Sequence, residues 1–209
     1  MDLTQERDLL VKHTNNLALV LSDEQIDSLI TYLQLLVKWN KAYNLTAVRE
    51  PADMVSRHLV DSLSILPYVK GPRIIDVGSG PGLPGIPLAI CRPDLAITTL
   101  DSNGKKTRFQ NQVKVEMGLT NLTVINGRAE QCSAEPFNEV ISRAFASISD
   151  MIHWTAQLCR PDGVFLAMKG IYPDDELAQL PDIYEVKNSF NLDVPGTEGA
   201  RHLLVLGRR

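Results

Sequence analysis

Asp76–Gly85 reads DVGSGPGLPG, four glycines and two prolines in ten residues, placed directly behind the apolar run RIIDV (Arg73–Val77). A short β-branched run that stops on such a stretch predicts a buried strand ending in a loop. Glycines there permit positive φ and let backbone N–H groups approach a ligand with no Cβ in the way. Gly78, Gly80 and Gly82 give G-x-G-x-G, and Leu83 stands where a dinucleotide loop would carry its third glycine. Asp76, two residues before the first glycine, would repel a pyrophosphate. It suits instead a cofactor with an ammonium group and a sulfonium, which is S-adenosylmethionine.

The surrounding pattern supports a strand-end site. After Gly71-Pro72, short apolar runs alternate with helical spacing: RIIDV, a helix from about Gly85, LAITTLD, a helix over Lys105–Met117 stopped by Gly118, LTVIN, EVISRA, a helix over Asp150–Cys159, and GVFLAMKG. Such alternation predicts an α/β fold with a mostly parallel sheet covered on both faces, which binds ligands at the carboxyl ends of its strands. YEVKNSFNLDV and HLLVLGR, either side of Pro195-Gly196, read as a closing hairpin. Residues 1–70 read as a helical extension packed on a core of residues 71–209. Within it, Ser22–Gln25 has the form of a capping box, and Pro51 suits the first turn of a further helix that Pro67 closes.

Two further strand ends fit the same cofactor. Asp101 closes the second strand, where a carboxylate can accept hydrogen bonds from ribose hydroxyls. After the third comes NGRAE, where Ala129 and Glu130 offer adenine a small neighbour and a backbone donor. The fourth strand runs into SRAFAS (Ser142–Ser147). It does not carry the motif of an Asn or Asp, two prolines and an aromatic that is expected of enzymes that methylate an exocyclic base nitrogen. Cys91, Cys132 and Cys159 follow no proline, so a thiolate attack on a pyrimidine carbon is not indicated, and no CxxC suggests a metal. The acceptor is then expected to be already nucleophilic or to be activated only by placement. Guanine N7 qualifies, because its in-plane lone pair needs no base, and Arg143 is placed to guide a guanine or a phosphate.

With 209 residues, 44% hydrophobic and 22% charged, the chain suits one ordinary domain without a membrane span, and a cytoplasmic monomer is expected. The net charge of −4 does not invite nucleic acid globally, but KKTRFQNQVK (Lys105–Lys114) is a local basic stretch. The acidic stretch Asp174–Glu185 has no function legible in the sequence.

Across nearly its whole length the chain resembles the bacterial 16S ribosomal RNA guanine-N7 methyltransferases of the RsmG family, also called glucose-inhibited division protein B. The likeness rests on WNKAYNLTA (Trp39–Ala47), RHLVDSL (Arg57–Leu63), IDVGSGPGLPGIPLA (Ile75–Ala89), LDSNGKKTRF (Leu100–Phe109), GRAE, SRAFA, MKG (Met168–Gly170) and RHLL (Arg201–Leu204). The resemblance implies a Rossmann-like class I fold with a seven-stranded sheet. It implies an S-adenosylmethionine site that includes Gly78, Leu83, Ala129, Glu130 and Arg143. It further implies methylation of one guanine in the decoding-region 530 loop of 16S rRNA, within a small subunit or an assembling particle. Asn44, His58, Lys169 and Arg201 match recurrent polar positions of the family and are expected to line the RNA-facing cleft. Two other readings remain: an NAD oxidoreductase, against which Asp76 and Leu83 speak, and a non-catalytic RNA-binding assembly factor that retains the fold.

Overall fold

The computed structural model describes residues 2–143, 145 and 147–209; Ala144 and Ala146 of the SRAFA motif lie outside them. Two long helices open the chain, α1 (Thr4–Asn16) and α2 (Asp23–Tyr43). The capping box forms: Ser22 Oγ accepts from Gln25 N–H at 3.2 Å, and Gln25 Oε1 accepts from Ser22 N–H at 2.9 Å. Pro51 starts the third run as expected, but the run is not a uniform α-helix. Four residues of α3 (Pro51–Met54) widen into a π-helical turn (Val55–Val60) and tighten again in α4 (Asp61–Leu63). Pro67 sits inside a short 3₁₀ turn, Leu66–Tyr68.

The sheet then builds from β1 (Arg73–Val77), β2 (Ala96–Asp101), β3 (Leu122–Asn126), β4 (Phe137–Ser142), β5 (Cys159–Lys169), β6 (Tyr184–Asn191) and β7 (His202–Arg208). Its order is β3-β2-β1-β4-β5-β7-β6, with the first five strands parallel and β7 antiparallel to both neighbours. Cys159, expected at a helix end, begins β5 and pairs with Phe137, because the strand runs well back from its apolar half. Helices α5 (Gly85–Cys91), α6 (Gly104–Glu116), α7 (Ile148–Thr155) and the short α8 (Asp174–Leu177) fill the connections.

Alternation along the strands divides the interior in two. Ile74, Ile97, Ile141, Leu166 and Leu203 join one apolar cluster with α5, α6 and the N-terminal helices. Ile75, Val77, Val140, Phe165 and Leu204 join the other, against Ile148, Met151 and Ile152 of α7. The N-terminal helices thus form part of one covering layer. The β6–β7 connection is a loop over 192–201 that contains the expected Pro195-Gly196 turn, closed by Thr197 N–H to Val194 O at 3.3 Å; Leu192 N–H extends the pairing to Arg201 O at 2.7 Å. At Gly196 (φ +77°) a Cβ would stand 2.5 Å from Ser56 Oγ and 2.9 Å from His13 Nε2, so the loop lies directly on the helical layer.

Candidate functional site at the carboxyl edge

β1 is flanked by β2 on one side and β4 on the other, so the chain changes direction across the sheet at its carboxyl end. Ligands of α/β sheets sit at such a switch point. The glycine loop that leaves β1 is fastened from every side. Gly78 and Ser79 donate to Leu100 O, Gly80 N–H donates to Asp101 Oδ2 at 2.8 Å, and Tyr32 Oη donates to Pro81 O at 3.1 Å. Gln110 of α6, fully buried, donates to Ser79 Oγ at 2.9 Å and to Gly80 O at 2.7 Å. Gly78, Gly80 and Gly82 all take positive φ, as the sequence pattern requires.

Two cavities meet at this loop. The first, about 480 Å³, lies over the ends of β1, β2 and β3. Gly78, Asp101, Ala129, Glu130 and the two aromatic side chains Phe145 and Trp154 line it. The second, about 540 Å³, opens between the loop, the π-helical turn and the β5–β7 edge. Among its described lining residues are Gly78, Gly80 and Leu83, the cationic Arg57, Lys106, Arg143, Lys169 and Arg201, and the histidines His58 and His202. Asp61 is the single carboxylate among them. Gly78 lines both cavities, so the two adjoin at its main chain.

Eight of the thirteen residues singled out in the sequence thus line the two cavities through the expected strand ends and loops: Gly78, Gly80, Leu83, Asp101, Ala129, Glu130, Arg143 and Lys169. His58 and Arg201 join them from the helical layer and from the start of β7. Three stand elsewhere. Asp76 lies under the loop, 1% exposed, and lines neither cavity. Its Oδ2 accepts the Gly85 N–H at 2.8 Å, and its Oδ1 is buried with no hydrogen-bond partner among the described residues. Through the bond to Gly85 it anchors the start of α5 from beneath the loop. Gly82 also lines neither cavity, and a Cβ there would run into the side chain of Ile86, so packing demands this glycine. Asn44 caps α2 in the left-handed conformation (φ 52°) and accepts from Arg49 Nη2 at 2.9 Å, outside both linings.

Charge in the second cavity is ordered by short contacts. Arg143 Nη1 reaches Asp61 Oδ2 at 2.6 Å, Arg201 Nε reaches Asp61 Oδ1 at 3.3 Å, and Lys169 pairs with Glu176 at 2.8 Å. His58 is buried; its Nδ1 faces Arg57 O at 3.0 Å and its Nε2 faces Thr46 Oγ1 at 2.8 Å. The carbonyl can only accept, so Nδ1 carries the proton and Nε2 accepts from the hydroxyl. Burial, reinforced by Arg143, holds the imidazole down at about 4, so it is neutral near pH 7. Burial pushes the Cys91 and Cys159 thiols up to about 12 and about 11, which leaves neither as a thiolate nucleophile. Among the described residues no cluster of His, Cys, Asp or Glu could hold a metal ion.

Sequence reasoning missed Phe145, Trp154, Arg57, Asp61 and His202. All but Trp154 lie inside the quoted stretches SRAFA, RHLVDSL and RHLL, but nothing in a linear pattern says that their side chains converge on a cavity.

The strand order with its reversed seventh strand is that of the class I S-adenosylmethionine-dependent methyltransferases. Solved structures share the fold at low sequence identity. An O-methyltransferase from Bacillus cereus in complex with SAH superposes with a TM-score of 0.57 at 17% identity, covering 86% of this chain and 91% of that one. A SAM-dependent methyltransferase from Geobacter sulfurreducens, also with S-adenosyl-L-homocysteine, gives 0.54 at 15% identity, covering 84% and 98%. Sequence defines the narrower kinship. The family model for rRNA small subunit methyltransferase G matches residues 25–204. A ribosomal RNA small subunit methyltransferase G of Marinobacter nauticus is 56% identical over 91% of this chain and 89% of its own length. One from a Marinomonas species is 52% identical over 97% and 98%. The chain belongs to the rRNA small subunit methyltransferase G family.

Proposed function

We propose that this protein transfers a methyl group from S-adenosylmethionine to N7 of one guanine in the 530 loop of 16S rRNA, in a small subunit or an assembling particle. The observation that carries the reading is the pair of cavities that meet at Gly78, one lined by the strand-end acid Asp101 and two aromatics, the other by five cationic side chains.

The residues of the first cavity fit the cofactor. Asp101 accepts one backbone N–H on each carboxylate oxygen, from Gly80 and Asn103 at 2.8 Å, and each oxygen keeps a further lone pair for a ribose hydroxyl. Ala129 and Glu130 border the place of adenine, and Phe145 and Trp154 give its ring apolar walls. Gly78, Gly80 and Leu83 carry the methionine end toward the second cavity. Bound there, the cofactor supplies an electrophilic methyl on a sulfonium.

The remaining task falls to the second cavity. Lys106, Arg143, Lys169 and Arg201, with Arg57, attract and orient a phosphodiester chain whose base points at Gly78. N7 attacks with its own lone pair, so no general base is required, and a neutral buried His58 is consistent with that. Holding two reactants in line contributes roughly 7–11 kcal/mol. Arg143 cannot hold N7 itself during transfer, so its place is on O6 or a phosphate.

Mapping N7-methylguanine in 16S rRNA by chemical cleavage and primer extension, from cells with and without the protein, tests the reading. A stop in the 530 loop that depends on the protein is the expected result. Unchanged stops throughout the rRNA would overturn it, and RNA binding without turnover would favour a non-catalytic assembly factor.

A further inference from the structure

Asp61 stands out in the second cavity as the single carboxylate among its described lining residues, beside five cationic side chains. It follows the π-helical turn, its side chain is 8% exposed, and it receives two guanidiniums from distant elements. Arg143 comes from the end of β4 and Arg201 from the residue before β7. Each arginine also donates to a main-chain carbonyl, Arg143 Nη1 to Arg57 O at 3.4 Å and Arg201 Nη1 to Ala200 O at 2.8 Å. Both keep about a quarter of their side-chain surface exposed, at 25% and 29%, and both line the cavity. Two like charges brought this close repel unless a counter-charge sits between them. One carboxylate shared by two arginines leaves the cavity basic, yet fixes where its positive charge stands.

We propose that Asp61 is a positioning residue for the methyl acceptor: it holds Arg143 and Arg201 in the geometry in which they orient the incoming nucleotide. This rests on the reading of the second cavity as the acceptor site. Asp61 lines the second cavity and not the first, so the proposal assigns it to the acceptor, and cofactor affinity is the control that separates the two.

The test is Asp61→Asn and Asp61→Glu in the full chain. Cofactor affinity is read by calorimetry, and kcat and KM by methyl transfer to small-subunit particles from cells lacking the protein. Asp61→Asn keeps the shape and removes the charge. It is expected to lower kcat by about 100-fold, the scale of a misplacement of about 1 Å, with cofactor affinity within about twofold. Asp61→Glu, which restores the charge, is expected to recover at least tenfold of that loss. A kcat for Asp61→Asn within threefold of the parent overturns the proposal. So does a loss that Asp61→Glu does not relieve and that follows the fraction unfolded.

Arginine side-chain N–H signals in NMR spectra give a readout independent of turnover. Slowly exchanging signals of Arg143 and Arg201 in the parent should vanish in Asp61→Asn, and their persistence also overturns the proposal. A parent protein that binds cofactor but methylates no RNA, with those signals lost in Asp61→Asn, would instead sink the acceptor reading and leave the clamp in place.

Discussion

Gly78 and Gly82 look alike in DVGSGPGLPG, yet different forces require them. Gly78 takes φ +71° and lines both cavities; Gly82 takes φ +100° and faces the side chain of Ile86. Gly78→Ala should therefore lower cofactor affinity at least tenfold while costing about 1 kcal/mol of stability from backbone strain. Gly82→Ala adds overlap to strain and should cost about 2–3 kcal/mol in urea unfolding, with the larger effect on stability. Equal effects of the two on calorimetric cofactor affinity would contradict this division. Asp76 leads to a pH prediction. Burial raises its carboxyl from 3.8 to about 7, against the lowering pull of the Gly85 N–H and of Arg143. The folded state then binds the proton more tightly than the unfolded state, so stability from this group is full below about pH 4 and is lost as pH rises toward 7. His58, depressed from 6.5 to about 4, acts in the opposite sense and loses stability as pH falls through that window. Comparing Asp76→Asn with the parent isolates the first group: the unfolding free energy of the variant minus that of the parent should rise between about pH 5 and pH 7.5. Parallel pH profiles would mean that Asp76 is already ionised in the folded protein.

Helix α6 acts on the glycine loop through one buried side chain. Gln110 Nε2 serves both Ser79 Oγ and Gly80 O, so Gln110→Leu leaves a buried carbonyl unmatched at a cost of about 1–3 kcal/mol. Thermal unfolding should register that loss together with weaker cofactor binding, since the loop moves with it. Undiminished affinity would show that α6 does not set the loop. The acidic stretch after β5 also acquires a role. Glu176 of α8 accepts from Lys169 and, through Oε2, from Ile148 N–H at 2.7 Å at the start of α7. Glu176→Ala removes that acceptor and should destabilise by about 1 kcal/mol in urea unfolding, with an unchanged midpoint arguing against the contact. The strands and most helices were legible in the sequence because apolar spacing switches cleanly between periods of two and 3.6. The π-helical turn was not, because Met54, Val55, Leu59 and Leu63 satisfy an ordinary helical pattern equally well. The loops that line the first cavity were legible because each is a contiguous motif at a strand end. Several lining residues of the second cavity were named from the sequence, but its ion pairs were not legible, because they join residues as far apart as 140 positions, and no local pattern encodes the contact of Asp61 with Arg201.

Over the molecule as a whole, the N-terminal helices and the sheet share an interior, and we propose that residues 1–70 are not an autonomous unit. Leu29, Tyr32, Leu33 and Leu36 of α2 belong to the same apolar cluster as Ile86, Ile90, Phe109 and Val113 of α5 and α6. The rings of Tyr32 and Trp39 lie 6.1 Å and 5.7 Å from that of Phe109. Gln25 Nε2 donates to Cys91 O at 3.0 Å, and Tyr32 Oη holds the glycine loop itself. Each fully buried aliphatic side chain contributes roughly 1.5–3 kcal/mol, so stripping the cover from even four of them removes an amount comparable to the ~5–15 kcal/mol that keeps a typical domain folded. The exposed face would be a contiguous apolar surface, which promotes association. Truncation would also delete Arg57, His58 and Asp61 from the second cavity. Residues 71–209 made alone should therefore lack a cooperative thermal transition by circular dichroism, elute as aggregates and bind no cofactor by calorimetry. A monomeric fragment that unfolds cooperatively would show instead that the sheet with α5 to α8 is a complete domain. If that fragment also bound cofactor with the affinity of the full chain, the hydrogen bond from Tyr32 to the loop would be dispensable for the site.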